Sequence, residues 1–284
     1  MRALLGELKR CGYSLENNHI SSGTRACLLN SYNFDFKRLR RHHRRNPCRM
    51  VHRVDGPISV YRGFDDGTDE RIHSINNELA DATVFQSQFS HRKHVEMGMQ
   101  FAEPVVIPNA VDPAIFNARN RGAFSADRRI RLISVSWSDN PNKGAGVYRW
   151  LDKKLDWRSF EYVYLGRTQE EFRNISILGA VSSAQVADEL RRSDIYITAS
   201  RNDPCSNSLL EALACGLPCL YLNSGGHPEI AGMAGVPFDD AEDIPNLLEH
   251  LMKDYDKYQS AISIPSIADV AERYLSVLFP GGTC

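Results

Sequence analysis

The sequence lacks any long apolar run, any excess of one charge and any strongly hydrophobic start. No apolar stretch approaches the roughly 20 residues that a membrane-spanning helix needs. The first residues, MRALLGELKR, already contain Glu7, Lys9 and Arg10, which interrupt the apolar core that a secretory signal requires. The 34 basic and 35 acidic residues give a net charge of -1. We therefore expect a cytoplasmic globular protein of one or two domains.

Paired cysteine motifs are also missing. The seven cysteines are odd in number, and they form neither a CxxC motif nor a set with histidines at zinc-binding spacing. We expect reduced thiols in a cytosol, Cys205 as a small buried side chain, and no metal site. The one D-x-D pair, Asp254 and Asp256, lies in a helical pattern, where residues two apart point to different faces. We interpret this pair as solvated surface.

Helical and strand patterns alternate along the chain, which favours an α/β fold with parallel sheets covered by helices. The loosest stretch, rich in charge and small residues, is 117–129, and it is the best candidate for a linker. The order of elements predicts two Rossmann-like domains with a ligand cleft between them. We place an N-terminal domain at 1–118, a C-terminal domain at 119–262, and a last helix at 263–284 that packs back toward the N-terminal domain.

The individual elements follow from apolar periodicity and from turn residues. Strands are predicted at 26–32, 48–54, 83–90 with its turn, 104–111, 131–137, 161–166, 175–181 and 194–200, and a further apolar run at 218–223. Helices are predicted at 2–10, 69–82, 91–98, 146–155, 182–193, 208–215, 243–258 and 265–278.

The stretch 202–230, NDPCSNSLLEALACGLPCLYLNSGGHPEI, has the pattern of a ligand site. It follows a buried strand, and Ser206 or Asn207 can cap the short helix SLLEALAC. Asp203 precedes this helix and Glu211 lies within it, so two carboxylates flank the exposed amides of the helix start. Those amides and the helix dipole favour an anion, commonly phosphate.

Four stretches of the chain resemble the GT-B-fold retaining nucleotide-sugar glycosyltransferases of family 4, and the resemblance extends from about Ala26 to the last helix. Each stretch taken singly is a weak signal, whereas the four in this order are a specific one. They are ADATVFQSQFSHRKHVEMG with PVVIPNAVDPAIFN, PNKG, ILGAVSSAQVADELRRSDIYITASRND, and NDPCSNSLLEALACGLP with GGHPEI.

The resemblance implies the roles of several residues toward a nucleoside diphosphate sugar as the donor. Glu211 would hold the ribose hydroxyls, Lys143 would pair with the diphosphate, and Asp203 would hold the sugar. The leaving nucleoside diphosphate needs cations and dipoles, so no metal or other cofactor is expected. The remaining phosphate oxygens would be bound by the backbone amides of Ser206, Asn207, Ser208 and Leu209.

The chain departs from the family pattern at three places. Asp203 stands where the family has a glutamate, and Ser138 stands where it usually has an arginine. Arg167, after Gly166 at a neighbouring strand end, is the candidate for the missing cation. Family members open with a strand and a glycine-rich loop before a helix, whereas this chain opens in what resembles that helix. We therefore expect the first domain to lack its usual opening strand.

The segment VHRVDGP, 51–57, ends a predicted strand on the side of the presumed cleft. The resemblance places His52 where family members often keep a histidine that contacts the sugar or the acceptor. Asp55 is a second candidate for activating the acceptor. The alternative for both is structural, with His52 in the strand and Asp55 shaping the turn.

The run KRLRRHHRRNPCR, from Lys37 to Arg49, is the densest basic stretch. Its lack of interleaved aromatic residues argues against nucleic acid as a partner. Two interpretations stay open, a solvated helix face and attraction to anionic lipid headgroups. The second would place the protein peripherally at the inner membrane face and suit a lipid-linked acceptor.

The expected function is transfer of a hexose-type sugar to a hydroxyl of a glycan or lipid-linked acceptor, in glycan, polysaccharide or glycolipid synthesis. Retention at the anomeric carbon is implied by the family alone. Two alternatives remain. A catalytically impaired partner subunit would bind nucleotide sugar or glycan, and a GT-B epimerase would return a nucleotide sugar as its product.

Overall fold

A computed structural model describes residues 1–281, and the chain divides into two compact units. The first unit comprises Met1–Ala110 together with Pro265–Cys284, and the second comprises Val111–Ile264. The division therefore lies between Ala110 and Val111, eight residues before the end of the predicted N-terminal domain. Among the described residues, no helix is both long and apolar enough to cross a bilayer.

The first unit is built on a four-stranded sheet with the order β1-β2-β3-β4, and the strand pairs are parallel. Met50, Val51 and Val54 of β2 are fully buried, because helices cover a parallel sheet on both faces. The elements are α1 Arg2–Arg10, β1 Ala26–Asn30, α2 Phe36–Arg45, β2 Arg49–Val54, α3 Ile58–Arg62, α4 Thr68–Leu79, β3 Ala82–Phe85, α5 Gln88–Glu96 and β4 Pro104–Val106.

The second unit contains a six-stranded parallel sheet with the order β10-β9-β8-β5-β6-β7. Its elements are β5 Ile130–Ser136, a 3-10 helix Pro141–Lys143, α6 Ala145–Lys154, β6 Phe160–Gly166, β7 Ser176–Leu178, α7 Ser183–Arg192, β8 Ile195–Thr198, α8 Asn207–Ala214, β9 Cys219–Leu222, α9 His227–Ala231, two 3-10 helices Gly232–Ala234 and Ala241–Asp243, β10 Gly235–Phe238, α10 Ile244–Lys253 and α11 Tyr255–Ser260.

The strand order of the second unit reverses between β5 and β8. From β5 the chain adds β6 and β7 on one side and then returns to add β8, β9 and β10 on the other. Loops that leave β5 and β8 in opposite directions open a crevice at the carboxyl ends of these strands, which is where open α/β sheets bind ligands. The residues that follow Ser136 and Thr198 are therefore the first place to look for a site.

The last helix, α12 Ile267–Leu278, belongs to the first unit. Its buried residues Val270, Tyr274 and Leu278 join the core that Leu4 and Val51 also enter. Arg49 at the start of β2 donates a hydrogen bond of 2.7 Å to the carbonyl of Val277. The helix closes one face of the first sheet.

The stretch 117–129 is part of the second unit and is not a linker. Phe124 stacks on Tyr255 with ring centroids 3.9 Å apart. Arg128 donates two hydrogen bonds, of 2.7 and 2.8 Å, to the carboxylate of buried Asp194. Arg121 donates to the carbonyls of Gly216 and Asp194. Charges that suggested a solvated linker thus bind partners far away in sequence.

Two further differences concern the ends and the number of elements. The strand predicted at 26–32 stops at Asn30, because Ser31 adopts a left-handed φ of 54°. The helix predicted at 69–82 ends at Leu79, and Ala82 already lies in β3. Three short elements, α3, α9 and β10, had no periodic signal of sufficient length to be predicted.

Candidate functional site

The loop after β5 is held against the exit of β8. Gly144 has a φ of 85°, and a β-carbon there would lie 2.4 Å from the Cβ and O atoms of Ala199. A side chain at this position would therefore displace the loop. The N–H of Arg201 also donates a hydrogen bond of 2.7 Å to the carbonyl of Asn142. These contacts place Lys143 beside the turn that follows β8.

Lys143 and Asp203 form an ion pair at the centre of this crevice. The distance between Lys143 Nζ and Asp203 Oδ2 is 2.9 Å, and the side chains are 18% and 10% exposed. The Asp203 backbone is fixed by the glycine turn, because the Gly226 N–H donates to the Asp203 carbonyl at 2.8 Å. Gly225 has a φ of 67°, and a β-carbon there would lie 2.4 Å from the same oxygen. The glycine at position 225 is thus explained by its close approach to Asp203.

The start of α8 lies directly after this turn. Ser206 caps the helix, and its side chain accepts from the Leu209 N–H at 3.4 Å. Tyr196, buried in β8, donates from its hydroxyl to Ser208 Oγ at 2.9 Å. The first amides of α8 therefore belong to a helix start that is anchored both by its cap and by the sheet.

Glu211 lies one turn further along α8, three residues after Ser208 and therefore on a neighbouring part of the same face. Burial raises the pKa of Glu211 to about 7, well above the ordinary value of a glutamate. A carboxylate that is desolvated in this way gains from any ligand that donates hydrogen bonds to it. A vicinal diol such as that of ribose offers two such donors.

A cavity of about 330 Å³ opens beside Lys143. Ser138 and Arg167, both singled out from the sequence, contribute to its lining together with Lys143. Gly166 has a φ of 122°, and a β-carbon there would overlap the carbonyl of Ser136, so β6 must end in glycine to pass the end of β5. The Arg167 N–H then donates to that carbonyl at 2.8 Å.

His52 has the structural surroundings that the sequence left open as an alternative. The residue is fully buried in β2. Its Nε2–H donates to the carbonyl of Ser31 at 2.7 Å, and its Nδ1 accepts from Asn76 Nδ2 at 3.2 Å. Burial lowers the pKa of His52 and keeps the ring neutral. Both nitrogens are therefore occupied by the protein, which favours the structural interpretation of His52.

Asp55 pairs with an arginine that sequence reasoning missed. Arg53 Nη1 donates to Asp55 Oδ1 at 2.9 Å and to Asn30 Oδ1 at 2.8 Å, and Arg53 Nη2 donates to Asn109 Oδ1 at 3.0 Å. Asp55 is 38% exposed, whereas the side chain of Arg53 is 11% exposed. The available signal was that Asn30 ends one strand of a parallel sheet, while Asp55 and Asn109 follow two others.

The basic run forms α2, and none of the residues of this helix is buried in the described structure. Asp35 caps it, with its carboxylate accepting from the Arg38 N–H at 3.0 Å. A shallow depression of about 390 Å³ on this helix, which we call the basic face, is lined by Lys37, Arg40, Arg41, Arg44 and Arg45.

Metal ligation has no candidate in the part of the chain that the structure describes. There, no group of three or more histidine, cysteine, aspartate or glutamate side chains is placed to hold a metal ion.

Comparison with known proteins supports the fold. Residues 167–264 match the family model "Glycosyl transferases group 1". This stretch includes Asp203, Glu211 and the glycine turn, and it begins at Arg167.

Two of the curated relatives are yeast proteins. The chain is 27% identical over 142 residues to the "Phosphatidylinositol N-acetylglucosaminyltransferase GPI3 subunit" of Saccharomyces cerevisiae strain RM11-1a, covering 44% of this chain and 31% of that protein. It is 31% identical over 109 residues to the gpi3 subunit of Schizosaccharomyces pombe, covering 35% of this chain and 24% of the relative. The match thus spans a third or less of each relative.

Solved structures resemble most of the chain at low identity. Sucrose-phosphate synthase from Thermosynechococcus elongatus matches with a TM-score of 0.64 and 13% identity, covering 89% of this chain and 69% of that one. Anabaena Alr3699/HepE in complex with UDP matches with a TM-score of 0.65 and 16% identity, covering 88% and 73%. TarM matches with a TM-score of 0.69 and 13% identity, covering 97% and 57%. The predicted α/β fold of GT-B type, with parallel sheets, is confirmed.

Proposed function

We propose that this protein is a glycosyltransferase that moves a sugar from a nucleoside diphosphate sugar to a hydroxyl acceptor, with retention at the anomeric carbon. The observation that carries the proposal is the Lys143–Asp203 ion pair beside the capped start of α8 and the partly buried Glu211. These groups occupy the reversal point of the second sheet, within and beside the stretch that matches a glycosyltransferase family model. The groups that would bind the donor therefore lie where an open α/β sheet usually binds its ligand.

The proposed division of roles follows from charge. The leaving nucleoside diphosphate develops negative charge, which the Lys143 ammonium and the amides and dipole of α8 stabilise. The ionised carboxylate of Glu211 accepts from the ribose hydroxyls, and Asp203 accepts from a hydroxyl of the sugar. In this proposal the enzyme needs no metal and no cofactor beyond its donor, because the cation and the dipole act on the diphosphate directly.

Uridine nucleotides are the first probes to try, because HepE has been solved in complex with UDP and with UDP-glucose. The yeast relatives are named for transfer of N-acetylglucosamine to phosphatidylinositol, so a lipid-linked acceptor is part of the proposal. We propose a cytoplasmic protein that meets such an acceptor at the inner face of a membrane.

A thermal-shift screen over nucleotide sugars tests the proposed donor. A ligand at about 100 times its dissociation constant adds about 2.7 kcal/mol to the free energy of unfolding, which is a readily measured shift. We expect one base to stand out, both as the free diphosphate and as its sugar conjugate. Release of the diphosphate on adding an acceptor distinguishes transfer from binding alone, and the anomeric configuration of the product, read by NMR, tests retention.

The screen also separates the alternatives. A protein that binds a nucleotide sugar but never releases diphosphate would support a partner subunit. A product that is still a nucleotide sugar would identify an epimerase. If no nucleotide or nucleotide sugar shifts the transition at millimolar concentration, the proposed function is wrong.

The basic face of α2 is the proposed contact with the membrane. The helix carries arginine or lysine on most of its surface and has no acidic residue, while the whole chain has a net charge of -1. Such a concentration of cations on one helix is attracted to a surface of anionic lipid, by about 1 kcal/mol for each residue near it. We therefore expect binding to vesicles of phosphatidylcholine with phosphatidylserine, and none to phosphatidylcholine alone.

Charge reversal tests this contact. The variant Arg41→Glu/Arg44→Glu/Arg45→Glu should lower vesicle binding in a sedimentation assay by about two orders of magnitude. The matched control is Lys153→Glu/Lys154→Glu/Arg158→Glu, which makes the same change in net charge at exposed residues of the second unit. Equal losses in the two variants would show that net charge matters and the basic face does not.

A further inference from the structure

The cavity beside Lys143 lies between the loops that follow β5 and β6. Its volume of about 330 Å³ is within the range of ~300–1,000 Å³ that small-molecule sites occupy. The Arg167 N–H donates to the Ser136 carbonyl at 2.8 Å, and Gln169 Nε2 donates to Asp139 Oδ2 at 3.0 Å. These two bonds join the loops, so Arg167 is held on the wall of a cavity that Lys143 also lines.

Three cationic side chains line this cavity, and two of them are already paired with carboxylates. Lys143 Nζ lies 2.9 Å from Asp203 Oδ2, and Arg149 Nη1 lies 2.6 Å from Glu170 Oε1. The third cation is Arg167, which is exposed. Its guanidinium forms no ion pair and no hydrogen bond within the part of the chain that the structure describes. Arg167 is therefore the cation of this cavity that can bind a ligand without first breaking an ion pair.

Asp139 is a further acid on the cavity wall, and it does not neutralise Arg167 by direct contact. The hydrogen bond from Gln169 is the main cause that lowers the pKa of Asp139, and the charge of Arg167 is a smaller one. The carboxylate is thus bound by an amide and not by the guanidinium. An anionic ligand can approach Arg167 without displacing a bonded carboxylate.

Ser138 lines the same cavity from the loop after β5 but supplies no charge. Its Oγ accepts a hydrogen bond of 3.2 Å from the Asn140 N–H, and its carbonyl accepts one of 2.8 Å from Ser136 Oγ. These contacts shape the loop. The positive charge of the cavity next to Lys143 therefore comes from the neighbouring loop, through Arg167.

We propose that Arg167 binds one phosphate of the donor's diphosphate while Lys143 binds the other, and that Arg167 thereby makes the site selective for nucleoside diphosphates over monophosphates. The inference rests on the proposed function and extends it to the class of nucleotide. A diphosphate can contact cations from two loops at once, whereas a monophosphate offers a single phosphate group. The planar guanidinium can donate two parallel N–H bonds to one phosphate, which makes this contact directional.

Calorimetry with UDP and UMP, and with the guanosine and adenosine pairs in parallel, measures the contribution of the added phosphate without assuming the base. Arg167→Met should weaken binding of the diphosphate about 10- to 100-fold and change binding of the monophosphate by less than about threefold. Arg167→Lys keeps the charge but loses the fork of donors, so its affinity for the diphosphate should fall between the two. The urea midpoint of Arg167→Met should equal that of wild type, because the side chain is exposed and unpaired.

Two further variants make the test specific to the cavity. Arg173→Met is the matched control, because it removes an exposed arginine of the same loop that does not line the cavity. This variant should bind UDP as wild type does. Ser138→Arg/Arg167→Met places a guanidinium on the same cavity from the loop after β5, and it should recover part of the preference for the diphosphate.

The ratio of the diphosphate and monophosphate affinities decides the outcome. A ratio that is the same in wild type and Arg167→Met would overturn the inference. So would an equal loss of UDP binding in Arg173→Met, because net charge would then explain the effect. Failure of the proposed function gives a different result, because the wild type would then bind no nucleotide of any base.

Discussion

Replacing Glu211 by Gln is expected to weaken binding of a nucleotide sugar about 100-fold at pH 8 while making the unliganded protein more stable. The loss follows from two charge-assisted hydrogen bonds to ribose, each worth about 1.5–3 kcal/mol in binding. The gain in stability follows from removing a desolvated carboxylate, whose pKa is raised by burial to about 7. A residue that lowers stability and raises affinity is typical of a binding site.

The pH dependence of stability has a definite sign. The folded-state pKa of Glu211 is above its unfolded value, so folding favours the protonated form. The free-energy cost is absent well below pH 4.5, grows between the two pKa values and is complete above pH 7. The free energy of unfolding of Glu211→Gln, compared with that of wild type in urea, should therefore rise by roughly 2–3 kcal/mol over this range.

Ligand binding should show the opposite trend. The ribose hydroxyls donate to the carboxylate and stabilise its ionised form, so binding releases a proton below about pH 7. Affinity of wild type for the nucleotide sugar should rise nearly tenfold per pH unit between pH 5 and 6.5 and level off above 7. A nucleotide sugar is the right probe, because its diphosphate is esterified at both ends and does not titrate near neutrality.

Two variants make this test specific. Glu211→Gln should bind weakly at every pH, with no slope that can be attributed to a carboxyl group. Glu249→Gln, at an exposed position of α10, is the matched control and should behave as wild type does. A wild-type affinity that does not change between pH 5 and 8, or a slope that survives in Glu211→Gln, would contradict the role given to Glu211.

The sequence was sufficient for the α/β fold because parallel strands that are buried on both faces have continuous apolar patterns. The sequence also carries a signal for the crevice. Gly144, Gly166 and Gly225 are required by close backbone contacts, and such contacts appear in sequence as glycines at strand ends and in the loops that follow strands. The structure also brings Lys143 to Asp203, 60 residues away in the chain, in line with the shared ligand that the motifs implied.

What could not be predicted depends on partners distant in sequence. Residues 117–129 have the composition of a linker, yet their charges bind Asp194 and the backbone of the second unit. His52 lies in a motif-like segment, but its protonation and contacts are decided by Ser31 and Asn76. In each case the role of the residue is decided by a contact with residues distant in sequence, which the local sequence pattern does not show.

Replacing Lys143 by Met is expected to reduce both stability and affinity, and a second substitution separates the two effects. Lys143→Met leaves Asp203, whose side chain is 10% exposed, as an uncompensated charge, which should lower the free energy of unfolding by about 2 kcal/mol. Lys143→Met/Asp203→Asn removes that charge and should recover most of the stability. The coupling energy from the four urea titrations measures the pair.

The matched control is the exposed pair Lys93–Glu96, whose side chains are 35% and 49% exposed. Its cycle, through Lys93→Met, Glu96→Gln and the double variant, should give less than about 1 kcal/mol, because water screens exposed charges. If the coupling energy of Lys143 and Asp203 is also below about 1 kcal/mol, their contact at 2.9 Å stabilises the fold no more than an exposed ion pair does.

The variants should rank differently in their affinity for the free diphosphate than in their stability. Lys143→Met and the double variant should both bind the free diphosphate about 10- to 100-fold more weakly than wild type, because each lacks the cation. Asp203→Asn alone should bind the free diphosphate several-fold more tightly, since the carboxylate that competes with phosphate for Lys143 has gone. The same variant should lose transfer of the sugar. If Asp203→Asn weakens binding of the free diphosphate as much as Lys143→Met does, then Asp203 orients the lysine and does not compete with the ligand for it.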